Sequence, residues 1–586
     1  MRTTDSWPDA AGDVRDAALA ALCVDFWHEL LRQDPIWAGQ LGDQQALAAL
    51  PDPSPTGRRR ARENLQALSA RAAALDASAL PPDEGETLEL LRDELAGRLI
   101  ALDSGLQLWS VDPLEGPHVR IFSLAPDQPT GTPAQRAALL VRWAAMPAWL
   151  DATTANLRRS QQAGGVANVH SIELAIGQLR RVLEQDVNDW PLANPALDAT
   201  LPALERRVIL ERLRVSLRNE LRPALERHFA LLEQELLPVA RSDEAPGLSS
   251  VPGGPALYEQ LVLMHTGLPL TARELHDFGL AEIARIRAET AELSARVFGP
   301  GEAATLPAGE PRTDLLVRQA QERLRGDPSL HFATRDEVEA KAREALARAQ
   351  AAVPAAFGRV PRTPCIVVRV PAHEERETTI AYYRGPAADG SLPGRYFINT
   401  FAPETRPRYE AEVLAFHEAV PGHHLQIALA QETLGLPRFR RETGSTAYVE
   451  GWALYTERLC DELGLYSGDV DRLGILSFDA WRACRLVVDS GLHAFGWSRQ
   501  QAIDYLRANT LLAENNCENE VDRYITWPGQ AVAYKCGQRE ILALRAEAQL
   551  ALGPRFDLRA FHDVVLGSGA VSLRVLRENV RDWIRR

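Results

Sequence analysis

The 586-residue chain is predicted to be mainly α-helical, in two helical lobes, with one small β-sheet just ahead of a histidine-bearing helix. Three observations carry this. Apolar residues recur at spacings of three and four through long Ala-, Leu-, Arg- and Glu-rich stretches. β-branched runs are confined to a window of about 364–400. Pro- and Gly-rich clusters punctuate the helices without a fixed period, which argues against a repeat array.

In chain order, residues from about 14 to 240 read as successive helices, for example Ala17–Leu31, Thr87–Leu102, Pro133–Leu157 and Leu201–Leu237. Proline clusters at 51–55, 81–83, 113–117 and 126–133 separate them. Residues 1–240 are taken as an N-terminal helical lobe and 241–255, rich in Pro, Gly and Ser, as a linker. Residues 256–586 form the catalytic region. Its first long helix starts at a capping box, Thr271 with Glu274, and runs to about Val297; another covers Arg335–Ala352. Strands follow at Cys365–Val370, Thr378–Tyr383 and Arg395–Thr400, the last reached through turns at Ala388–Gly390 and Pro393–Gly394. His373 reads as a solvated loop residue. A helix covers Arg408 to Ala430 and ends at Leu434–Pro437; the tail from Phe556 is helical.

The apolar content of 46% suffices for a large core, and the net charge of −14 excludes an ordinary nucleic-acid binder. The six cysteines lack paired spacing, so neither a disulfide framework nor a zinc ribbon is expected. With no apolar leader at the N-terminus and no apolar run of membrane length, the chain is expected to be cytoplasmic and free of membrane contact. It has only two lysines, Lys341 and Lys535.

The chemistry concentrates in Phe416-His417-Glu418-Ala419-Val420-Pro421-Gly422-His423-His424-Leu425-Gln426. Imidazole is the commonest nitrogen ligand of zinc, and a glutamate beside a ligand histidine is how zinc hydrolases place a general base. In HExxH the two histidines are one helical turn apart. Here His417 and His424 are seven apart, roughly 10 Å along an ideal helix, too far to share an ion. Pro421 cannot donate to the carbonyl of His417, and Gly422 tolerates unusual backbone angles. A bulge at Val420–Gly422 is therefore expected to bring His423 back toward His417, with His424 the alternative ligand. Glu450, in Tyr448-Val449-Glu450-Gly451-Trp452, is the third candidate ligand. Glu457, seven residues on and on the same helix face, is placed behind a ligand histidine.

The strings HEAVPGHHLQ, YVEGWALYTERL, RLVVDSGLHAFGW and RYITWPGQAVAYKCG resemble the bacterial family catalogued as domain of unknown function 885. That family is similar to gluzincin metallopeptidases of the thimet-oligopeptidase and thermostable-carboxypeptidase kind. The resemblance implies a zincin-like, mostly helical fold with zinc peptidase activity. It implies a carboxylate reaching the zinc from the following helix, and an edge strand, Phe397 to Thr400 including Asn399, that pairs with extended substrate.

Four further assignments follow. Asp489 and His493, one turn apart, form a carboxylate-held imidazole suited to a developing oxyanion. Tyr524 and Tyr534 are alternative neutral donors to the same oxyanion. Arg482 or Arg485 is placed to grip a substrate carboxylate through a bidentate fork. Gln530 and Lys535 fall in the last motif and are counted as substrate-binding. The expected function is a Zn²⁺-dependent hydrolase in which Glu418 accepts a proton from the metal-bound water, acting on short peptides or small amides. The rivals are an amidase or esterase acting on a non-peptide metabolite, and a helical binding protein whose metal site is structural, with His424 as a fourth ligand, or vacant.

Overall fold

The computed structural model describes residues 7–198, 200–299, 311–372, 375, 379–387 and 392–586. Helices dominate, as expected, and several open as the sequence indicates. Thr132 and Thr271 form capping boxes with Gln135 and Glu274; Ser54 and Asn168 cap their helices with side-chain oxygens. The expected helices are present as Ala17–Gln33, Pro82–Ser104, Pro133–Gln162 and, in shorter segments, Ala203–Val239. His373 and the turn at Ala388–Gly390 lie outside the described residues. All six cysteines are buried and unpaired. Among the described residues no helix is long and apolar enough to cross a membrane.

Buried residues of the first hundred, among them Phe26, Trp27 and Leu91, share one core with Phe416, Trp452, Tyr455 and the C-terminal helices. A second core joins residues 111–236 with Ile36. The stretch 241–255 is folded against the C-terminal half. It contains a short turn at Leu248–Ser250, and the Ser249 hydroxyl donates to the Leu492 carbonyl at 2.9 Å.

The sheet has three strands, β1 (Cys365–Arg369), β2 (Ala381–Arg384) and β3 (Gly394–Ile398). Their spatial order is β1-β3-β2, with β3 parallel to β1 and antiparallel to β2. This corrects the expectation that Phe397–Thr400 is an edge: Phe397 is paired with Val368 on one side and Tyr382 on the other. A strand whose N–H and C=O groups are already paired on both sides has none left for an extended peptide.

Six helices build the region around the histidines: α1 (Ala411–Glu418), α2 (His423–Glu432), α3 (Thr446–Glu462), α4 (Asp469–Ala494), α5 (Glu514–Thr526) and α6 (Ala533–Leu552). α3 and α6 cross where each carries a glycine. A Cβ on Gly537 would sit 1.7 Å from the Ala447 carbonyl oxygen, and one on Gly451 would sit 2.4 Å from the Gly537 backbone. That close approach brings Tyr534, at the start of α6, against the helix that carries Glu450.

Candidate metal centre

The interruption expected at Val420–Gly422 is a full break in the helix. α1 stops at Glu418 and α2 restarts at His423. Between them Ala419 (φ −104°, ψ −105°) and Gly422 (φ −75°, ψ −127°) leave the helical region, and the Val420–Pro421 peptide is cis. A Cβ at Gly422 would lie 1.9 Å from the His417 carbonyl oxygen, so the two helix ends approach this closely only with glycine there. The break is pinned from α3: Trp452 Nε1 donates to the Pro421 carbonyl at 3.0 Å.

The consequence is that His417, His423 and Glu450 present ligand atoms that all lie within 4.8 Å of one another. Glu450 Oε2 is 3.7 Å from His417 Nε2 and 3.5 Å from His423 Nε2. The two imidazole planes are nearly perpendicular, with centroids 4.8 Å apart. Behind His417, its Nδ1 lies 2.8 Å from Glu457 Oε1, which fixes the tautomer that leaves Nε2 free to coordinate.

Two imidazoles and one carboxylate are a donor set suited to zinc. The electrostatics of the bare cluster point the same way. Burial works against a charged His417, yet Glu450 and Glu457 outweigh it and raise its pKa to about 9. Burial likewise works against a charged Glu450, but the two histidines hold its pKa well below the usual carboxylate value. A cluster that retains a positive charge between its donors when bare suits a cation. His424 stands outside it. Its Nδ1 lies 2.9 Å from the Tyr383 hydroxyl and its Nε2 3.0 Å from the Thr363 carbonyl, so the alternative ligand assignment is corrected.

Glu418 is half-buried beside His417 and close enough to Tyr396 to raise that phenol's pKa, after burial itself. The two tyrosines separate. Tyr524 is buried, its hydroxyl donating to Glu520 Oε2 at 2.5 Å and accepting from Arg485 Nε at 3.0 Å, so it has no proton to offer. The Tyr534 hydroxyl has no hydrogen bond among the described residues; its ring lies under the Arg485 guanidinium at 4.3 Å, and Glu450 raises its pKa, after burial.

Several predicted site residues lie elsewhere. His493 accepts from Leu248 N–H at Nδ1 (3.1 Å), and its Nε2 lies 2.9 Å from the Tyr524 carbonyl. With both nitrogens bonded to backbone and its pKa lowered to about 3, chiefly by burial, it is no oxyanion donor. Asp489 accepts from the Tyr258 hydroxyl (2.7 Å) and Gly529 N–H (3.0 Å) and does not touch the cluster. Lys535 is an internal cation, bound to Asp479, Glu282 and Gln538. Asn399 Nδ2 ties its own loop to the carbonyls of Glu375 and Thr379. Phe397 stacks on Tyr382 at 4.7 Å. Gln530 accepts from Arg523 at 3.0 Å and lines a cavity of about 1270 Å³ among Trp7, Trp149, His265 and Trp527, to which no cluster residue contributes.

Three residues of consequence were not among the expected site residues: Trp452 as the pin, Glu520 as the partner of Arg485 and Tyr524, and Arg523 as a second cation on Glu520. The i, i+3 and i, i+4 spacing of Glu520, Arg523 and Tyr524 was the available signal.

Fold and site together define a mainly helical protein with a His-His-Glu candidate metal centre at a helix break. By its sequence the chain belongs to the family described as bacterial protein of unknown function (DUF885), whose profile matches residues 35–580. Among curated proteins none matches it. A solved structure from Colwellia psychrerythraea, described as a "putative lipoprotein", is 27% identical with a TM-score of 0.87, covering 97% of this chain and 99% of its own. One from Shewanella oneidensis, a "putative lipoprotein of unknown function", is 21% identical with a TM-score of 0.73, covering 96% and 99%. Pyrococcus furiosus carboxypeptidase aligns at 10% identity with a TM-score of 0.38, over 98% and 99%, a likeness too loose to bear on function. The descriptions of the first two proteins overturn the cytoplasmic expectation, which is withdrawn.

Proposed function

We propose that the protein is a zinc-dependent hydrolase, in its finer form a peptidase of short peptides, with His417, His423 and Glu450 holding the metal. The observation that carries this reading is the convergence of those three donors, with no fourth His, Cys or carboxylate in the cluster among the described residues. Glu418 stands next to it and Glu457 fixes the first histidine. A structural zinc site closes with four protein ligands. The residue that would close this one, His424, is spent on Tyr383 and Thr363, which favours the catalytic alternative.

Zinc held by His417, His423 and Glu450 would supply Lewis acidity and would lower the pKa of a water toward about 7. Glu418 would accept a proton from the attacking water and deliver it to the leaving nitrogen. Tyr534, neutral and with an unspent hydroxyl, donates to the oxyanion as it develops. Glu457 keeps the His417 ring in one tautomer throughout. An amidase or esterase acting on a non-peptide metabolite would use the same residues, and only a substrate screen separates the two.

Metal content by mass spectrometry is the first test. The expected result is about one zinc per chain. Glu418→Gln should keep that metal and lower turnover by about 10²–10⁴-fold. Wild-type protein purified without chelator that carries no stoichiometric metal would sink the reading; full activity in Glu418→Gln would remove Glu418 as base.

A further inference from the structure

Three arginines crowd the Tyr534 side of the centre, and one of them has no hydrogen-bond or ion-pair partner among the described residues. Arg485 is committed: Nε to the Tyr524 hydroxyl and Nη2 to Glu520 at 2.9 Å. Arg523 is committed to Gln530 and to the same Glu520. Arg482 is only 4% exposed, yet it makes no hydrogen bond and no ion pair among the described residues. Its Nε and Nη1 are buried without partners. Its guanidinium rests on the rings of Phe478 (4.3 Å) and Trp481 (4.2 Å).

The acids that Arg482 senses are engaged elsewhere. Glu457 is bonded to His417, and Glu410 accepts from the Ser477 hydroxyl at 2.9 Å. A buried guanidinium without a counter-ion is heavily penalised, and such groups call for an explanation in ligand binding. Arginine's planar fork matches a carboxylate. The position is apt: Arg482 acts electrostatically on Tyr534 and is acted on by Glu457, the residues that flank the metal centre on two sides.

We infer that Arg482 is the anchor for a free α-carboxylate, so that the substrates are short peptides with an unblocked C-terminus. This rests on the hydrolase reading above. The reaction breaks one peptide C–N bond. The acyl carbon takes the oxygen of one water, the nitrogen takes one of its protons, and the other proton leaves from the new carboxyl group. Arg482 takes no part in the proton transfers; it places the scissile bond by holding the end of the chain.

The test uses zinc-loaded full-length protein and a panel of short peptides, each made as C-terminal acid and as C-terminal amide. The expected result is a preference for the acid of at least ~100-fold in kcat/KM, since a site built for a polar group rejects the analogue that lacks it. Arg482→Met, which keeps the apolar stem, should bring the ratio to within about threefold, and Arg482→Lys, which keeps the charge without the fork, should retain part of it. Equal hydrolysis of acid and amide by wild type overturns the inference and leaves the hydrolase reading intact. If neither is hydrolysed, calorimetric titration of zinc-loaded Glu418→Gln decides. Acid-selective binding lost in Glu418→Gln/Arg482→Met would keep the anchor and discard the hydrolase, whereas binding without acid selectivity would discard the anchor too.

Discussion

Two histidine–carboxylate pairs in this chain look alike on paper and differ in the folded protein. His417 with Glu457, and His493 with Asp489, each set a buried imidazole against a buried acid. At His417 the acid takes Nδ1 and leaves Nε2 directed at a second imidazole and a second carboxylate. At His493 the backbone takes both nitrogens, and Asp489 stays 3.8 Å away with Oδ1 unbonded. The difference is the free nitrogen. An imidazole with one nitrogen fixed and one open can serve as a ligand; with both fixed it is a structural cross-link, here between residue 248 and the end of α5.

The largest effect that separates the pairs is metal loss. His423→Ala and Glu450→Ala should each abolish stoichiometric zinc, because the cluster has no fourth donor among the described residues; His493→Gln and His424→Ala should retain about one zinc per chain. Zinc lost from His493→Gln protein that is still folded by circular dichroism would merge the two classes.

Next are the tyrosines that accompany each pair. Tyr534→Phe removes a free donor and should lower kcat by about 10²–10³-fold with KM little changed. Tyr524→Phe removes a hydroxyl already spent on Glu520 and Arg485; it should cost stability of about 1–2 kcal/mol and leave kcat within about threefold. The reverse ranking would show that the Glu520 network opens during turnover.

A smaller effect tests the orienting acid. Glu457→Ala should weaken zinc affinity by about 10–100-fold, as loss of an outer carboxylate partner does, measured by competition with a chromogenic chelator. An unchanged affinity would reduce the 2.8 Å contact to packing.

The contrast between the pairs also shows what the sequence could express. Helix periodicity, the capping box at Thr271 and the helix break at Pro421-Gly422 are local, and they were legible. So was the convergence of His417, His423 and Glu450, because residue type and chain spacing suffice once the break is allowed. What failed depended on partners distant in sequence. His424 is excluded by Tyr383 and Thr363, which lie 41 and 61 residues away. β3 is central because it pairs in parallel with β1, a long-range choice that a run of β-branched residues does not reveal. Lys535 is claimed by Asp479, 56 residues away. The spacing of Asp489 and His493 was legible; that Leu248 would reach across 245 residues to claim Nδ1 was not.

The last prediction concerns Asp489. Burial raises its carboxyl to about 7, against the pull of Tyr258, Gly529 N–H and Arg523. Below about pH 4 the folded and unfolded chains are both protonated at this group, and it contributes nothing. Between about pH 4 and 7 the unfolded chain releases the proton while the folded one keeps it, so rising pH costs stability; above about 7 both are ionised and the penalty is constant. Asp489→Asn is neutral in every state and can still accept from Tyr258 and Gly529. The stability of Asp489→Asn relative to wild type should therefore climb by about 3 kcal/mol from pH 4 to pH 7 and then level off, in urea melts at matched salt. Taking the difference cancels the titration of all other groups. Parallel curves would mean that Asp489 is ionised in the fold and that its unbonded Oδ1 is compensated by a charge on His493, making this pair a true ion pair and erasing the contrast with His417 and Glu457.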